Sequence, residues 1–180
     1  MDVETEAGRL LTGMGDAPGA RGLVARHLGA DAVRVVATLP AGDACAVRTA
    51  SGWEIRVLHG LTERRLRWAL LHELAEVHLS RLGVGGNVEG IAEQLTAALA
   101  MPRRAFVADV WRCRMDLAVL ADWFVVSQTA ASLRLAEACI LRGAAVVHPH
   151  FRMERGRACF DGAEQRALTD APMRVAHLVA

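Results

Sequence analysis

Two helical segments with clear start and stop signals constrain the fold of this chain most strongly. The first begins after Thr62, which suits a helix N-cap, and ends at Gly83. The second begins after Asn87 and ends at Pro102, because the residue before a proline disfavours helical geometry. The glycine-rich connection between them is short, so we expect the two helices to pack as neighbours.

The residues before this helix pair predict a small α+β arrangement. Residues 1–30 have helical character, with a Gly- and Pro-rich interruption that separates a short first helix from a second. Three segments with strand character follow, and a tight turn at Ser51-Gly52 joins the last two. We expect these segments to form a small antiparallel sheet: 32–39, 44–50 and 53–59.

The residues after the helix pair predict a further helical region and a short tail. Residues 103–142 are helical in character, with a bend near Val126-Ser127, and from about residue 104 they resemble a helix-turn-helix in outline. Residues 143–180 predict a short hairpin and a weakly patterned end. We therefore predict one domain over 1–142 and a C-terminal segment over 143–180.

The composition excludes several classes of protein. Hydrophobic residues make up 53% of the chain and charged residues 23%, which is not typical of a disordered chain. No apolar run reaches the roughly 20 residues of a membrane span, and the acidic start is unlike a secretory signal. The four cysteines are far apart and are expected to be buried free thiols. The acidic start and the cysteines predict a cytoplasmic protein, and a net charge of +1 predicts no general attraction to nucleic acid or membranes.

The first helix of the pair carries the sequence His72-Glu73-Leu74-Ala75-Glu76. In zincin peptidases, H-E-x-x-H on a helix places two histidines on one metal ion and a glutamate beside the attacking water. Positions 72 and 76 are about 40° apart around a helix, whereas His78 is about 240° from His72 and cannot replace the second ligand. Glu76 occupies that position, and a carboxylate can bind zinc at about the same distance as imidazole.

The next helix offers a third ligand. Glu89 is the candidate, followed by small residues that would let the helices approach, and Glu93, one turn further, is the reserve. A site of His72, Glu76 and Glu89 would neutralise a divalent ion and acidify water less than a site with two histidines. Oxygen-rich ligation also shifts the preference from zinc toward harder ions such as manganese.

The dipeptide His-Glu alone is more often an ordinary surface or core pair, so the larger pattern decides the interpretation. Over residues 20–142, the segments RRLRWALLHELAEVHL, EGIAEQLTAALAMP and FVVSQTAASLRL resemble, in order and spacing, those of the ImmA/IrrE metallopeptidase family. The resemblance implies a zincin-like fold with His72 as first ligand, Glu73 as general base and Glu89 as third ligand. Glu76 stands where the family has histidine, which puts catalysis in doubt.

For a working site, the resemblance implies hydrolysis of a peptide bond, with Glu73 moving a proton from water to the leaving amine. An oxyanion donor is also needed, and His148 or His150 are candidates, although loop histidines are more often solvated. The chain has no tyrosine to serve instead. The family typically acts on helix-turn-helix repressors, so a transcriptional repressor is the expected protein partner.

Two other functions remain open. The replacement of histidine by Glu76 would also be consistent with an inactive pseudopeptidase that acts as a protein-binding module. A DNA-binding regulator that uses residues 117–141 is a weaker hypothesis, because the segment 127–138 has Arg134 as its single basic residue and phosphate contacts need several. The sequence does not specify the substrate or the oligomeric state.

Overall fold

The computed structural model describes residues 1–14, 19–113, 116–140, 152–154 and 157–159. Within these residues the chain is a mixed α+β protein with seven helices, a three-stranded sheet and a two-stranded hairpin. It divides into two units: residues 1–102 with 124–126, and residues 103–123 with those from 127 onward. The sequence-based boundary at residue 142 stays a prediction, because residues 141–151 are outside the described part.

Two short helices open the first unit, as predicted. Helix α1 (Val3–Leu11) begins at Asp2, whose side chain accepts a hydrogen bond from the Glu4 backbone N–H at 3.2 Å. Helix α2 (Ala20–Leu28) follows and ends at Gly29. Each helix buries one apolar face, with Leu10, Leu23 and Val24 at most 4% exposed. Burial of these side chains fixes both helices to the core.

The sheet contains β1 (Val33–Val36), β2 (Ala44–Thr49) and β3 (Gly52–Leu58), in the order β1-β3-β2. Strands β2 and β3 form the predicted antiparallel hairpin, but β1 runs parallel to β3, so the prediction of a wholly antiparallel sheet is wrong. Alternating hydrophobicity predicts a strand without specifying its direction. Packing decides the direction, and here the central strand β3 has β1 on one side and β2 on the other.

The two faces of the sheet differ in polarity. Ile55 and Val57 of β3 are at most 1% exposed and belong to the core, where the sheet contacts the helix that follows it. The alternate residue Glu54 lies on the opposite face and pairs with Arg34 at 3.1 Å and Arg56 at 2.8 Å. The central strand is therefore apolar toward the helices and charged on its other side.

Helices α3 (Glu63–Arg81) and α4 (Val88–Ala100) form the predicted neighbouring pair. The Thr62 hydroxyl accepts a hydrogen bond from the Arg65 backbone N–H at 3.4 Å, and the Asn87 amide oxygen accepts one from the Gly90 N–H at 3.2 Å. Both predicted N-caps are thus confirmed. The larger buried apolar side chains of this pair are Leu70, Leu71, Leu74, Val77, Leu79, Leu95 and Leu99.

The second unit is built from α5 (Arg103–Arg112), α6 (Leu117–Trp123), α7 (Gln128–Ile140) and a hairpin of β4 (Arg152–Glu154) and β5 (Arg157–Cys159). The predicted bend before α7 is present. Val125 has a φ of 52°, a left-handed conformation that interrupts the helical path, and the Ser127 hydroxyl accepts from the Ala130 N–H at 3.0 Å to start α7.

Two observations bear on the class of protein. No helix in the described part of the chain has the length and apolar character needed to cross a membrane. Cys45 and Cys113 are free thiols, but both are partly exposed, so the prediction of buried thiols is wrong for these two. Cys45 pairs with Arg56 of β3, and strand alternation places it on the charged face of the sheet.

Candidate metal centre

Three potential metal ligands converge where α3 and α4 pack together. The His72 Nε2 atom lies 3.4 Å from a Glu89 carboxylate oxygen and 3.7 Å from a Glu76 carboxylate oxygen. One ligand atom from each residue lies within 4.8 Å of the other two. The residues proposed from sequence as ligands are therefore neighbours in space, although they come from two helices.

The two distances from His72 to the carboxylates suit a small divalent cation. Ligand distances of about 2.1 Å in tetrahedral geometry place neighbouring ligand atoms about 3.4 Å apart. The separation of 3.4 Å between His72 and Glu89 matches that value, and the 3.7 Å between His72 and Glu76 is close to it. One imidazole and two carboxylates are also accepted ligand types for zinc and manganese. The residues present fit such an ion.

The position of Glu89 follows from the start of α4. Glu89 is in the first turn, directly after the Asn87 cap, and a carboxylate there is stabilised by the helix dipole. A Cβ atom on Gly90 would lie 2.7 Å from the Asn87 side-chain nitrogen, so the glycine leaves room for the cap. Gly90 thus leaves space for the Asn87 cap, and the cap orients the first turn of α4.

The exposure of the three side chains opens the cluster to solvent on one side. The side chain of His72 is 18% exposed, that of Glu76 37% and that of Glu89 65%. The histidine forms the inner part of the cluster and Glu89 the outer part. The cluster is therefore most open to solvent on the Glu89 side.

Glu73 lies on the inner side of α3 and is only 7% exposed. Burial raises the pKa of its carboxyl group, and the nearby Glu76 carboxylate raises it further. A hydrogen bond from the Ala46 backbone N–H partly opposes this pKa shift, as does His72. Strand β2 is at the edge of the sheet, and the hydrogen bond from the Leu58 N–H to the Asp43 carbonyl sets a register in which the Ala46 N–H faces away from β3. The edge strand thus orients the candidate base.

His78 has a structural partner instead of a place in the cluster. Its Nε2 atom lies 3.1 Å from a Glu6 carboxylate oxygen, which links α3 to α1, and Arg9 also binds Glu6. This agrees with the helical-angle argument that His78 cannot replace a second ligand. No sequence pattern predicts the Glu6 contact, because the two residues are far apart in the chain. Glu93 is exposed and is not part of the ligand cluster.

The remaining site predictions concern the C-terminal part of the chain. His148 and His150, the candidate oxyanion donors, lie outside the described residues, so their role stays a prediction. In α7, Arg134 is only 2% exposed and its guanidinium lies 3.3 Å from a Glu137 carboxylate oxygen. The basic residue on which the DNA-binding hypothesis depends is thus buried.

Comparison with known proteins gives a likeness of fold. No protein-family model matches the sequence, and no curated protein matches it either. A solved structure described as a Mycobacterium tuberculosis transcriptional regulator is similar, with a TM-score of 0.60 and 21% identity. The similarity covers 75% of this chain and 46% of that protein, so the chain spans less than half of its neighbour. At this identity the likeness concerns the fold.

Proposed function

We propose that this chain is a metal-dependent, zincin-like peptidase of the ImmA/IrrE type that acts on a protein partner. The observation that carries the proposal is the convergence of His72, Glu76 and Glu89 beside the buried carboxyl group of Glu73. A ligand cluster next to a carboxyl group with a raised pKa is typical of a hydrolytic centre.

In this proposal, His72, Glu76 and Glu89 hold one divalent cation, which when bound supplies a Lewis acid beside Glu73. A neutral imidazole and two ionised carboxylates bring two negative charges, which balance the charge of the cation. That balance weakens the Lewis acid relative to a site with two histidines. It also favours manganese more than the usual zinc ligands do.

Glu73 is the proposed general base. The Ala46 amide holds its carboxyl group in place, and a carboxyl group has a second oxygen that can accept a proton from water. A raised pKa brings the group closer to neutral pH, where it can both take a proton from water and return one to the leaving amine. The partner implied by the family resemblance is a helix-turn-helix transcriptional repressor.

Metal analysis of the full chain, purified without chelator, tests the ligand set. We expect near-stoichiometric zinc or manganese, and its loss in Glu89→Gln, because an amide oxygen is a weaker ligand than a carboxylate. Glu93→Gln is the matched control, since Glu93 is exposed one turn further along α4 and outside the cluster. Metal-free wild-type protein, or equal loss in both variants, would contradict the proposal.

A second candidate function is an inactive pseudopeptidase that binds a protein partner. The carboxylate of Glu76 at the second ligand position favours it, because this residue lowers the Lewis acidity expected for the centre. Glu76→His separates the two functions. If the site is a functional zincin centre, we expect at least a tenfold gain in zinc affinity and faster peptide hydrolysis. A gain in affinity without hydrolysis would support the pseudopeptidase.

A DNA-binding role has weaker support. The neighbouring structure is described as a transcriptional regulator, which is the observation in its favour. Against it, Arg134 of α7 is buried and paired with Glu137, so it is not placed to contact phosphates. DNA binding that falls steeply with rising salt would revive this function. We expect no such dependence.

A further inference from the structure

Two contacts align the edge strand β2 with helix α3. At one end, the Arg65 guanidinium makes paired hydrogen bonds to Asp43, at 2.7 and 2.8 Å. Further along both elements, the Ala46 N–H donates to the Glu73 carboxyl group. Both contacts advance in the same direction along the chain, so β2 and α3 run side by side past the ligand cluster.

This alignment shows which part of α3 lies beside Arg48, the next residue after Ala46 on the same face of β2. Residue 48 is two positions beyond Ala46, which is about 6.6 Å along a strand. The same distance corresponds to roughly four residues of a helix, or one turn beyond Glu73. Arg48 therefore lies at the level of Glu76, and strand alternation places it on the same face of the sheet as Ala46.

The Arg48 side chain is exposed and held by an aromatic ring. Its guanidinium carbon lies 5.5 Å from the centre of the Trp53 ring, on the directly paired position of β3. Among the residues that the structure describes, no carboxylate lies within ion-pair distance of Arg48. Stacking on Trp53 limits the movement of the guanidinium and leaves its N–H donors available to a ligand.

The charge of the cluster explains why such a residue would matter. The ligand cluster itself offers no net positive charge to a polypeptide, because the carboxylates of Glu76 and Glu89 balance a divalent cation. A carboxylate of a polypeptide bound beside this centre therefore needs a positive group outside the cluster. Arg48 supplies that charge in a planar form that binds carboxylates through two hydrogen bonds.

We infer that Arg48, stacked on Trp53, is a specificity-determining residue that binds a carboxylate of the polypeptide at the metal centre. This inference rests on the proposed function. The carboxylate belongs either to an acidic side chain or to the end of a peptide, and the two sources share the same chemistry.

The test uses the full chain loaded with zinc and a degenerate library of short peptides with acetylated and amidated ends. Mass spectrometry records the peptides that are retained or cleaved. We expect Asp and Glu to be enriched over Asn and Gln at one position, and Arg48→Gln to reduce that enrichment about tenfold. Arg48→Glu should instead enrich Lys and Arg. A second library, without Asp or Glu but with free carboxyl ends, identifies terminal recognition.

Arg34→Gln is the matched control, because Arg34 is exposed on the opposite face of the sheet. Zinc content should be unchanged in all these variants, and the unfolding temperature should change only slightly, because Arg34→Gln removes an exposed ion pair with Glu54. Peptides bound without acidic preference, or with a preference that Arg48→Gln leaves intact, would overturn the Arg48 inference alone. An acidic preference without cleavage would support Arg48 and contradict catalysis. Zinc-loaded protein that binds no peptide would overturn both.

Discussion

Glu73 combines two properties that are normally in conflict. Its side chain is almost fully buried, which raises the pKa of the carboxyl group, yet it is the residue proposed to exchange protons. A single backbone amide, that of Ala46, holds it in place. Burial of the ionised Glu73 carboxyl group costs free energy, but it does so at a position where a raised pKa would assist proton exchange.

Substitution of Glu73 separates its structural role from its chemical role. Glu73→Gln keeps an oxygen that can accept from the Ala46 N–H, so we expect unchanged zinc affinity and equal or higher stability, but at least a hundredfold loss of peptide hydrolysis. Glu73→Ala also loses the hydrogen bond, so it should lower the free energy of unfolding by about 1 to 3 kcal/mol. Urea unfolding and zinc titration measure both effects. Hydrolysis that survives in Glu73→Gln would exclude the residue as the base.

The first turn of α4 determines where Glu89 lies. Asn87 caps this turn, and Thr62 caps α3 in the same way. The two caps differ in their distance along the chain from the ligand cluster. Glu89 is two residues after its cap, whereas His72 is ten residues after Thr62. Loss of order in the first turn of α4 should therefore weaken metal binding, whereas the same loss in the first turn of α3 should not.

We predict that Asn87→Ala and Thr62→Ala each lower the free energy of unfolding by about 1 kcal/mol, because each leaves a backbone N–H without its cap. Asn87→Ala should also weaken zinc binding severalfold, whereas Thr62→Ala should not. Isothermal titration with zinc and thermal unfolding measure the two effects. Equal zinc affinities in the two variants would show that the α4 cap does not position Glu89.

The sheet contributes a pH dependence through Glu54. The hydrogen bond from Arg56 and the charge of Arg34 hold the pKa of Glu54 below its usual range in the folded chain. The folded state therefore binds fewer protons than the unfolded state in this window. Stability from Glu54 is present above the usual pKa of about 4.3 and is lost as the pH falls through the lower folded value.

We therefore expect wild-type protein to lose stability between about pH 5 and pH 3, and Glu54→Gln to lose less over the same range. The pairs involve exposed arginines, so the difference should be a small shift in the urea midpoint. Glu93→Gln, on the exposed side of α4, serves as the control. A steeper acid dependence in Glu54→Gln than in the wild type would contradict this account.

The described part of the chain does not divide at a single point in the sequence. Residues 124–126 belong to the unit formed by residues 1–102, whereas the residues on both sides of them belong to the second unit. Phe124 is 4% exposed and Val126 1%, while the adjacent Trp123 is 51% exposed. The stability of the first unit, which contains the candidate metal centre, therefore depends on a segment that follows it in sequence.

Phe124→Ala should lower the unfolding free energy of this unit by about 3 kcal/mol, because it removes a buried aromatic side chain. Trp123→Ala, one residue earlier and exposed, should change it by no more than about 0.5 kcal/mol. Added zinc should raise the unfolding temperature of both variants, since an ion that binds the folded state stabilises it. Calorimetry with and without zinc tests this. Equal effects of the two substitutions would contradict the assignment of Phe124.

The sequence by itself determined the features that depend on neighbours along the chain. The caps at Thr62 and Asn87, the stop at Pro102 and the bend near Val126-Ser127 are local in origin, and each is present in the structure. Helical periodicity also places residues 72 and 76 on one face and turns His78 away. These interactions span a few residues, so the sequence contains all of their partners.

Only the tertiary structure decided the features that join distant segments. The parallel direction of β1, the contact of Ala46 with Glu73, and the pairing of Glu6 with His78 link residues between about 20 and 72 positions apart. Each has several alternatives of similar local energy, because a strand or a helix face can meet many partners. Packing of the shared core selects among them, and so it determines what surrounds the candidate metal centre.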